Sequence, residues 1–458
     1  LDTEKDIKIE EHPPIETVLK PIRKFMHVET SGGIVLIVMT IIAIIWANSP
    51  LADVYFHLLE TKIVLGFGDY RIDESLHYWI NDGLMAIFFF LVGLEIKREL
   101  LIGELSTIKT ASLPIIAAFG GMLVPALIYL IFNPGGEGQK GWGIPMATDI
   151  AFSIGILALL GSKAPFAIKV FLTAFAIVDD IGAVLVIAMF YTADISLVIL
   201  GIAAFFLLIL IVMNFLHVRA PSAYIVIGLL LWAALLKSGI HATIAGILLA
   251  FTIPAKARIN SRQFLDTTQS ALEDLKKLRS IGKNVMTSNE LSSIVYDIED
   301  SCEAVQTPSQ RIQDELHLFV AFFIMPLFAF ANAGVKIDGN ILNLVGHPVS
   351  IGIIFGLFFG KQIGVFVFSW LAVKLKIAEK PHNISWITMY GAACLGGIGF
   401  TMSLFIASLA FGSLPLAGNA KIGILAGSLI SGILGYVVIK KYSSDKKKNG
   451  KKIFTNNL

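Results

Sequence analysis

Residues 166–191 read FAIKVFLTAFAIVDDIGAVLVIAMFY, a long apolar run with two adjacent acids, Asp179 and Asp180, at its middle. A run of this length fits one crossing of a bilayer core, which needs about 20 apolar residues. Each ionised carboxylate at the centre of such a helix costs roughly 2.5–3.5 kcal/mol on the insertion scale. Two side by side cost more, because like charges in a low dielectric repel. Leu or Ala would serve a purely structural role better, so the pair predicts a cation or proton site.

The rest of the chain has the same character. Its 458 residues are 55% hydrophobic and only 15% charged, with a mean hydropathy of +0.77. A soluble domain averages about 25% charged residues, so most of this chain is expected to lie in lipid, with room for roughly twelve spans. The cysteines, Cys302 in a polar stretch and Cys394 in an apolar one, are too few for a disulfide framework or a metal site.

Hydropathy places spans at about 33–47, 81–94, 111–132, 142–160, 166–191, 196–216, 222–236, 240–253, 318–333, 350–373, 384–411 and 422–439. The predicted organisation is a cytoplasmic tail at 1–24, spans one to eight within 25–254, a polar cytoplasmic insertion at 255–316, spans nine to twelve within 317–439, and a basic cytoplasmic tail at 440–458. Residues 51–80 are read as a long loop, in which KIVLGFGDYRI forms either a short hairpin or an irregular segment. Lys20, Arg23 and Lys24 precede the first span as in a signal peptide, and the spans that follow favour an uncleaved anchor.

Orientation follows the distribution of Lys and Arg. One set of connections holds Lys97, Arg98, Lys109, Lys163, Arg219, Lys256, Arg258, Lys374, Lys376, Lys380 and both tails; the other holds only Lys62, Arg71, Lys140, Lys237, Lys336 and Lys421. The first set is therefore expected to be cytoplasmic, with both termini inside.

Three further ionisable residues lie in the apolar runs: Asp149 in ATDIAFSIG, Lys361 in LFFGKQIGV, and Asp82 at the start of the second span. Neighbours on a helix point about 100° apart, so one of Asp179 and Asp180 faces a cation while the other faces a partner. Lys361, the only basic residue deep in a span, is the natural partner; it serves either as a structural counter-ion or as a proton carrier. Thr148-Asp149 follows Gly141, Gly143 and Pro145, and span eleven holds GGIGFTMS at 396–403. Two interrupted helices of opposite direction in the two halves point to an inverted-repeat transporter. The predicted fold is an all-α integral membrane protein of about twelve helices, with inverted-topology repeats and two discontinuous helices crossing near the bilayer midplane. Glu95, Lys97, Arg98 and Glu99 read either as an ion-paired helix end or as a pH-responsive cluster, His241 as an interfacial histidine near an outer helix end, and His317 as one at a cytoplasmic helix start.

The motifs NDGLMAIFFFLVGLEIKREL, IPMATDIAFSIGILALLGSKAP, AFAIVDDIGAVLVIAMFYT, LLKSGIHATIAG, MPLFAFANAGV and GGIGFTMSLFIASLAFG, in this order, resemble the NhaA-type Na+/H+ antiporters of bacteria. The resemblance covers nearly all the chain outside the first 20 residues, the 255–313 segment and the tail. It implies that Asp180 is the principal cation-binding carboxylate and that Asp179 pairs with Lys361 or contacts the ion. It implies that Thr148 and Asp149 mark an unwound crossing near the ion, and that Asp82 affects transport. Glu95, Arg98, Glu99 and the helix start containing His317 would belong to a pH-activation cluster. Here the chain departs from the family pattern: Gln313 and Asp314 stand where Glu and His are common, and Leu318 replaces a frequent Pro. The resemblance further implies a homodimer, joined through the 62–72 hairpin, in the bacterial inner membrane, with Na+, Li+ and H+ as substrates. It implies no cofactor, no enzymatic activity and no nucleic-acid partner.

The expected mechanism is competition, in which a protonated acid cannot bind Na+ and bound Na+ excludes the proton. Two ionised groups facing one monovalent ion imply two protons displaced per Na+. A proton-coupled carrier of another small solute, such as an organic anion, would need a polar pocket beyond Lys361. An intramembrane aspartyl protease would need two acids sharing a proton from separate segments, which Asp149 and Asp179 could supply only in a sequence context unlike protease motifs.

Overall fold

The computed structural model describes residues 31–455 apart from 68–69, 193–194, 280–288, 338–340, 382–383 and 413. The tail expected at 1–24 lies outside them. Chain order begins with α1 (Ser31–Ala47) and α2 (Ala52–Glu60), then strands β1 (Lys62–Phe67) and β2 (Tyr70–Ser75). A helical turn and a π turn (Trp79–Leu84) lead into α3 (Met85–Ile102), followed by α4 (Ile108–Phe132). A 3-10 segment, Glu137–Met146, precedes α5 (Ile150–Leu159); then come α6 (Phe166–Phe190), α7 (Leu197–Phe215), α8 (Pro221–Ser238) and α9 (Thr243–Thr252). Helices α10 (Ser261–Arg279), α11 (Asn289–Val305) and α12 (Pro308–Phe319) follow, and a π turn joins α12 to α13 (Met325–Ala333). The chain finishes with α14 (Pro348–Phe355), a π turn (Gly356–Gly360), α15 (Lys361–Lys374), α16 (Trp386–Gly396), α17 (Phe400–Phe411) and α18 (Leu416–Thr455).

Among the described residues, seven helical stretches are long and apolar enough to cross a membrane, and counting each bent helix pair as one span raises this to ten. Many of their apolar side chains face outward, Ile131 at 75% and Leu197 at 78% exposure among them. That pattern suits lipid rather than water, since soluble monomers do not expose contiguous apolar surface on this scale.

Three features depart from the expected layout, and one open reading is resolved. The loop expected at 51–80 opens with α2, which folds back at 112° from α1. Its Ala52, Tyr55 and Leu59 make one buried stripe, and the Tyr55 hydroxyl donates to the Phe330 carbonyl over 2.6 Å. A stripe this short reads as loop in a hydropathy profile. The open reading of 62–72 resolves as an antiparallel hairpin, with Lys62 opposite Ser75 and Leu65 opposite Ile72. The first half of the fourth predicted span is 3-10 rather than α, as its glycines and Pro145 disfavour a regular helix. His317 stands in the last turn of α12 and not at a helix start, because Thr307 caps the helix ten residues upstream by accepting from the Gln310 amide at 3.0 Å.

The element that positions the site is the close pair α4 and α15. Gly120 of α4 and Gly364 of α15 meet backbone to backbone, so that a Cβ on Gly364 would run into the Gly120 carbonyl. Gly360 also lies close against the backbone of Pro125. Small residues let helices approach closely where no hydrophobic effect drives them together. Gly364→Val is expected to destabilise the protein by about 3 kcal/mol, the upper end for overpacking, because the opposing atoms are backbone and cannot turn aside. A lowered thermal unfolding midpoint in detergent would register it.

Candidate ion-binding site

Two of the bent helix pairs have short non-helical breaks between their halves. The 3-10 segment ends at Met146, residues 147–149 are extended, and α5 leaves at a bend of 42°. Helix α16 ends at Gly396 and α17 leaves after residues 397–399 at a bend of 40°. The breaks touch, for the Asp149 amide donates to the Ile398 carbonyl over 2.6 Å.

Breaking a helix frees backbone N–H groups on one side and carbonyls on the other, and each must find a partner in an apolar interior. Asp149 serves two of these ends. Its Oδ1 accepts from the Phe152 amide at 3.0 Å, capping α5, and its Oδ2 accepts from the Thr401 amide at 3.1 Å and from the Thr401 hydroxyl, capping α17. One carboxyl group thus sits between two helix N-termini, where the macrodipoles favour a negative charge. The Gly399 and Phe400 amides donate to Ser428 Oγ at 3.2 and 3.1 Å. The carbonyls ending α16 accept hydroxyl protons, Leu395 from Ser153 at 2.9 Å and Gly396 from Thr148 at 2.7 Å.

Asp179 and Asp180 lie on α6 beside this crossing and are buried, as is Lys361. Lys361 Nζ donates to Asp179 Oδ2 over 2.7 Å and stands 5.5 Å from the centroid of the Phe175 ring. The π turn just before Lys361 and the Gly360–Pro125 contact set the depth of this ammonium. Thr148 lies next to the Asp179 carboxylate. Among the described residues Asp180 has no basic partner at bonding distance; its carboxylate feels those of Asp179, Asp149 and Glu95 and, more weakly, Lys361. One oxygen of each member of the pair, Asp179 Oδ1 and Asp180 Oδ1, is buried without a hydrogen bond. A buried charged oxygen without a partner is costly, and a proton or a small cation relieves that cost.

The other expected site residues are dispersed. Glu95 is half-buried on α3 and within electrostatic reach of Asp180. Arg98 and Glu99 pair with each other at 3.5 Å, and Glu99 also accepts from the Glu104 amide at 3.0 Å. Lys97 caps the end of α9 by donating to the carbonyls of Phe251, at 2.7 Å, and Ile253. His317 is exposed on α12, which packs against α3. Asp82 sits in the π turn before α3, near Glu74 and Tyr78 and not beside the carboxylate pair. Burial lowers the proton affinity of His241, in the loop between α8 and α9, and its ring lies 2.6 Å from the Tyr191 carbonyl oxygen.

Sequence reasoning missed Thr401, Ser428 and Ser153. Each was findable in principle, because a hydroxyl in an apolar span needs a partner, and a broken helix supplies one.

Apolar helices enclosing charged groups at two helix breaks are the architecture of a multi-span membrane protein built to accommodate ions. A family model described as Na+/H+ antiporter 1 matches residues 23–439. The chain is 50% identical over 431 residues to the Na(+)/H(+) antiporter NhaA of Koribacter versatilis, covering 94% of this chain and 93% of that one. It is 48% identical to the Na(+)/H(+) antiporter NhaA 1 of Saccharophagus degradans, covering 94% of each chain. It is 49% identical to the Na(+)/H(+) antiporter NhaA of Oleidesulfovibrio alaskensis, covering 93% of this chain and 95% of that one. The chain belongs to this family of bacterial Na+/H+ antiporters.

Proposed function

We propose that this chain is a secondary transporter, not an enzyme, which expels Na+ or Li+ in exchange for protons across a bacterial inner membrane. The observation that carries this reading is the carboxylate pair at 179–180, with one unpartnered oxygen on each acid and a single lysine bonded to Asp179. A Na+ ion and protons then compete for the same oxygens, and hard oxygen ligands suit small cations. Asp180, free of a direct basic partner, is the principal ion ligand. Asp179 shares the ion when it leaves Lys361, and the second proton rides on Asp179 or on Lys361. Two protons for one Na+ make the exchange electrogenic. Asp149 and Thr148 hold the crossing in register, and Asp149, with both oxygens engaged, acts chiefly through its charge.

The same reading gives twelve spans, reached by adding the charged α3 and the short α9 to the ten counted by length, arranged as inverted repeats whose two broken helices cross near the midplane. Both termini are cytoplasmic, the hairpin joins a homodimer, Asp82 lies on the outer cation path, and lipid surrounds the bundle. Glu95, Arg98, Glu99 and His317 supply the pH response, with Glu95 the member that reaches the site. No cofactor takes part. The competing reading, a proton-coupled carrier of another solute, lacks any comparable polar pocket on the spans among the described residues.

The test is a proton-gradient assay in everted vesicles challenged with Na+, Li+ and K+ at several pH values. Na+ and Li+ are expected to dissipate the gradient. Proton movement indifferent to Na+ at every pH would sink the proposal.

A further inference from the structure

Two asparagines buried between spans have no part in the site just described. Asn81, in the π turn before α3, and Asn332, near the end of α13, are 6% and 1% exposed. Asn332 Nδ2 donates to Asn81 Oδ1 over 2.7 Å, and Asn81 Nδ2 returns to Asn332 Oδ1 over 3.4 Å. His77 completes the layer, its Nε2 lying 3.2 Å from Asn332 Oδ1. Leu or Ala would join these helices at less risk, since a buried amide that loses its partner is penalised.

This layer lies on the face of the bundle that carries the hairpin. β2 leads through a helical turn and the π turn into α3, and Lys421 at the start of α18 donates to the Gly334 carbonyl, just past α13, over 3.2 Å. The opposite face carries α10 and α11. Beneath the amides lies an apolar plug. Phe405 of α17 meets Phe89 at 5.5 Å and Phe328 at 6.3 Å between ring centroids, and all three are fully buried. Phe328 is one turn below Asn332, and its carbonyl accepts from Asn332 Nδ2 at 3.0 Å. Phe405 is one turn from Thr401, which holds Asp149. Between the hairpin face and the crossing, α3, α13 and α17 thus meet through one amide layer and one aromatic layer.

We propose that Asn81 and Asn332 form the gate on the hairpin face, and that their amide oxygens ligate Na+ as it passes once the pair separates. The chemistry fits: amide oxygens can replace the water a cation sheds in a narrow path. The location fits as well, because a π turn loosens the backbone hydrogen bonding where α3 would have to move. The inference rests on the exchange reading above, and its test separates the two.

In a background carrying Cys302→Ser and Cys394→Ala, Asn81→Cys and Asn332→Cys are joined by a short, reducible bis-thiosulfonate reagent. Exchange is expected to fall at least about tenfold when linked and to return on reduction; full exchange with the link in place would overturn the gate. A second readout does not need transport. Ala329→Cys, fully buried one turn below Asn332, is labelled by a membrane-impermeant maleimide from the hairpin face. Labelling is expected to quicken about tenfold when Asn81→Ala and Asn332→Ala remove the pair, the scale of one or two lost hydrogen bonds. An unchanged rate would overturn the proposal whatever the transport assay shows, whereas faster labelling without Na+-dependent exchange would indict the exchange reading alone.

Discussion

Asp180→Asn is expected to abolish Na+-dependent proton movement, by at least about a hundredfold, while the protein still folds. The loss corresponds to about 2.7 kcal/mol, the scale of one charged ligand contact. Folding should survive because Asp180 has no ion pair to break and one of its oxygens is already unpartnered. Replacing the acid by its neutral isostere removes a buried charge, which leaves the unfolding midpoint unchanged or raises it. Transport in vesicles and thermal unfolding in detergent, measured on one preparation, test both halves. Normal exchange by this variant would remove Asp180 from the site. A collapse of the unfolding midpoint would show that its charge holds the fold.

Lys361→Met should behave in the opposite way. It strands Asp179 as a buried charge, and breaking such a pair costs about 3–5 kcal/mol. The penalty is expected to be greatest at alkaline pH, where Asp179 cannot escape by taking a proton, and to shrink as the medium is acidified. Adding Asp179→Leu removes the stranded charge and should recover most of the stability, since an apolar pair of similar volume is often as stable as the buried ion pair it replaces. Denaturant midpoints of the two variants across pH decide this. Equal midpoints for Lys361→Met and the wild type at alkaline pH would mean that the 2.7 Å contact contributes little. The transport of the Lys361→Met variant bears on the proton carrier. If Lys361 is only a counter-ion, exchange falls in step with the folded fraction. If it carries the second proton, the sensitivity of exchange to membrane potential falls as well.

What the sequence disclosed and what it hid divide along a physical line. Asp179, Asp180 and Lys361 stand out because a charge in an apolar run is an anomaly with few explanations, and the fold does bring Lys361 against Asp179. The breaks at 147–149 and 397–399 were legible from clustered glycines and Pro145. Their mutual contact was not, since nothing local says that Asp149 would cap α17 as well as α5. The π turn before Lys361 left no signature, because π and α segments share one composition. Glu95 was grouped with its neighbours as an ion-paired helix end or a pH-responsive cluster. It shares a helix face with Arg98 and Glu99 and feels both charges, yet it alone of the three also reaches Asp180 electrostatically. His317 was misplaced because hydropathy marks where a helix enters lipid, not where its hydrogen bonds begin.

The polar stretch between α9 and α12 leaves the bundle and comes back to its own point of departure. The Ser309 amide donates to the Pro254 carbonyl over 3.2 Å, so the two ends of that excursion are already in register with each other. Splicing Pro254 to Thr307 through a few glycines would give up the Glu303–Arg311 ion pair and little else that holds α12 in place. Because the two ends already meet, length can be gained or lost there with little strain on the helices on either side, which makes this joint the natural place to graft a reporter domain.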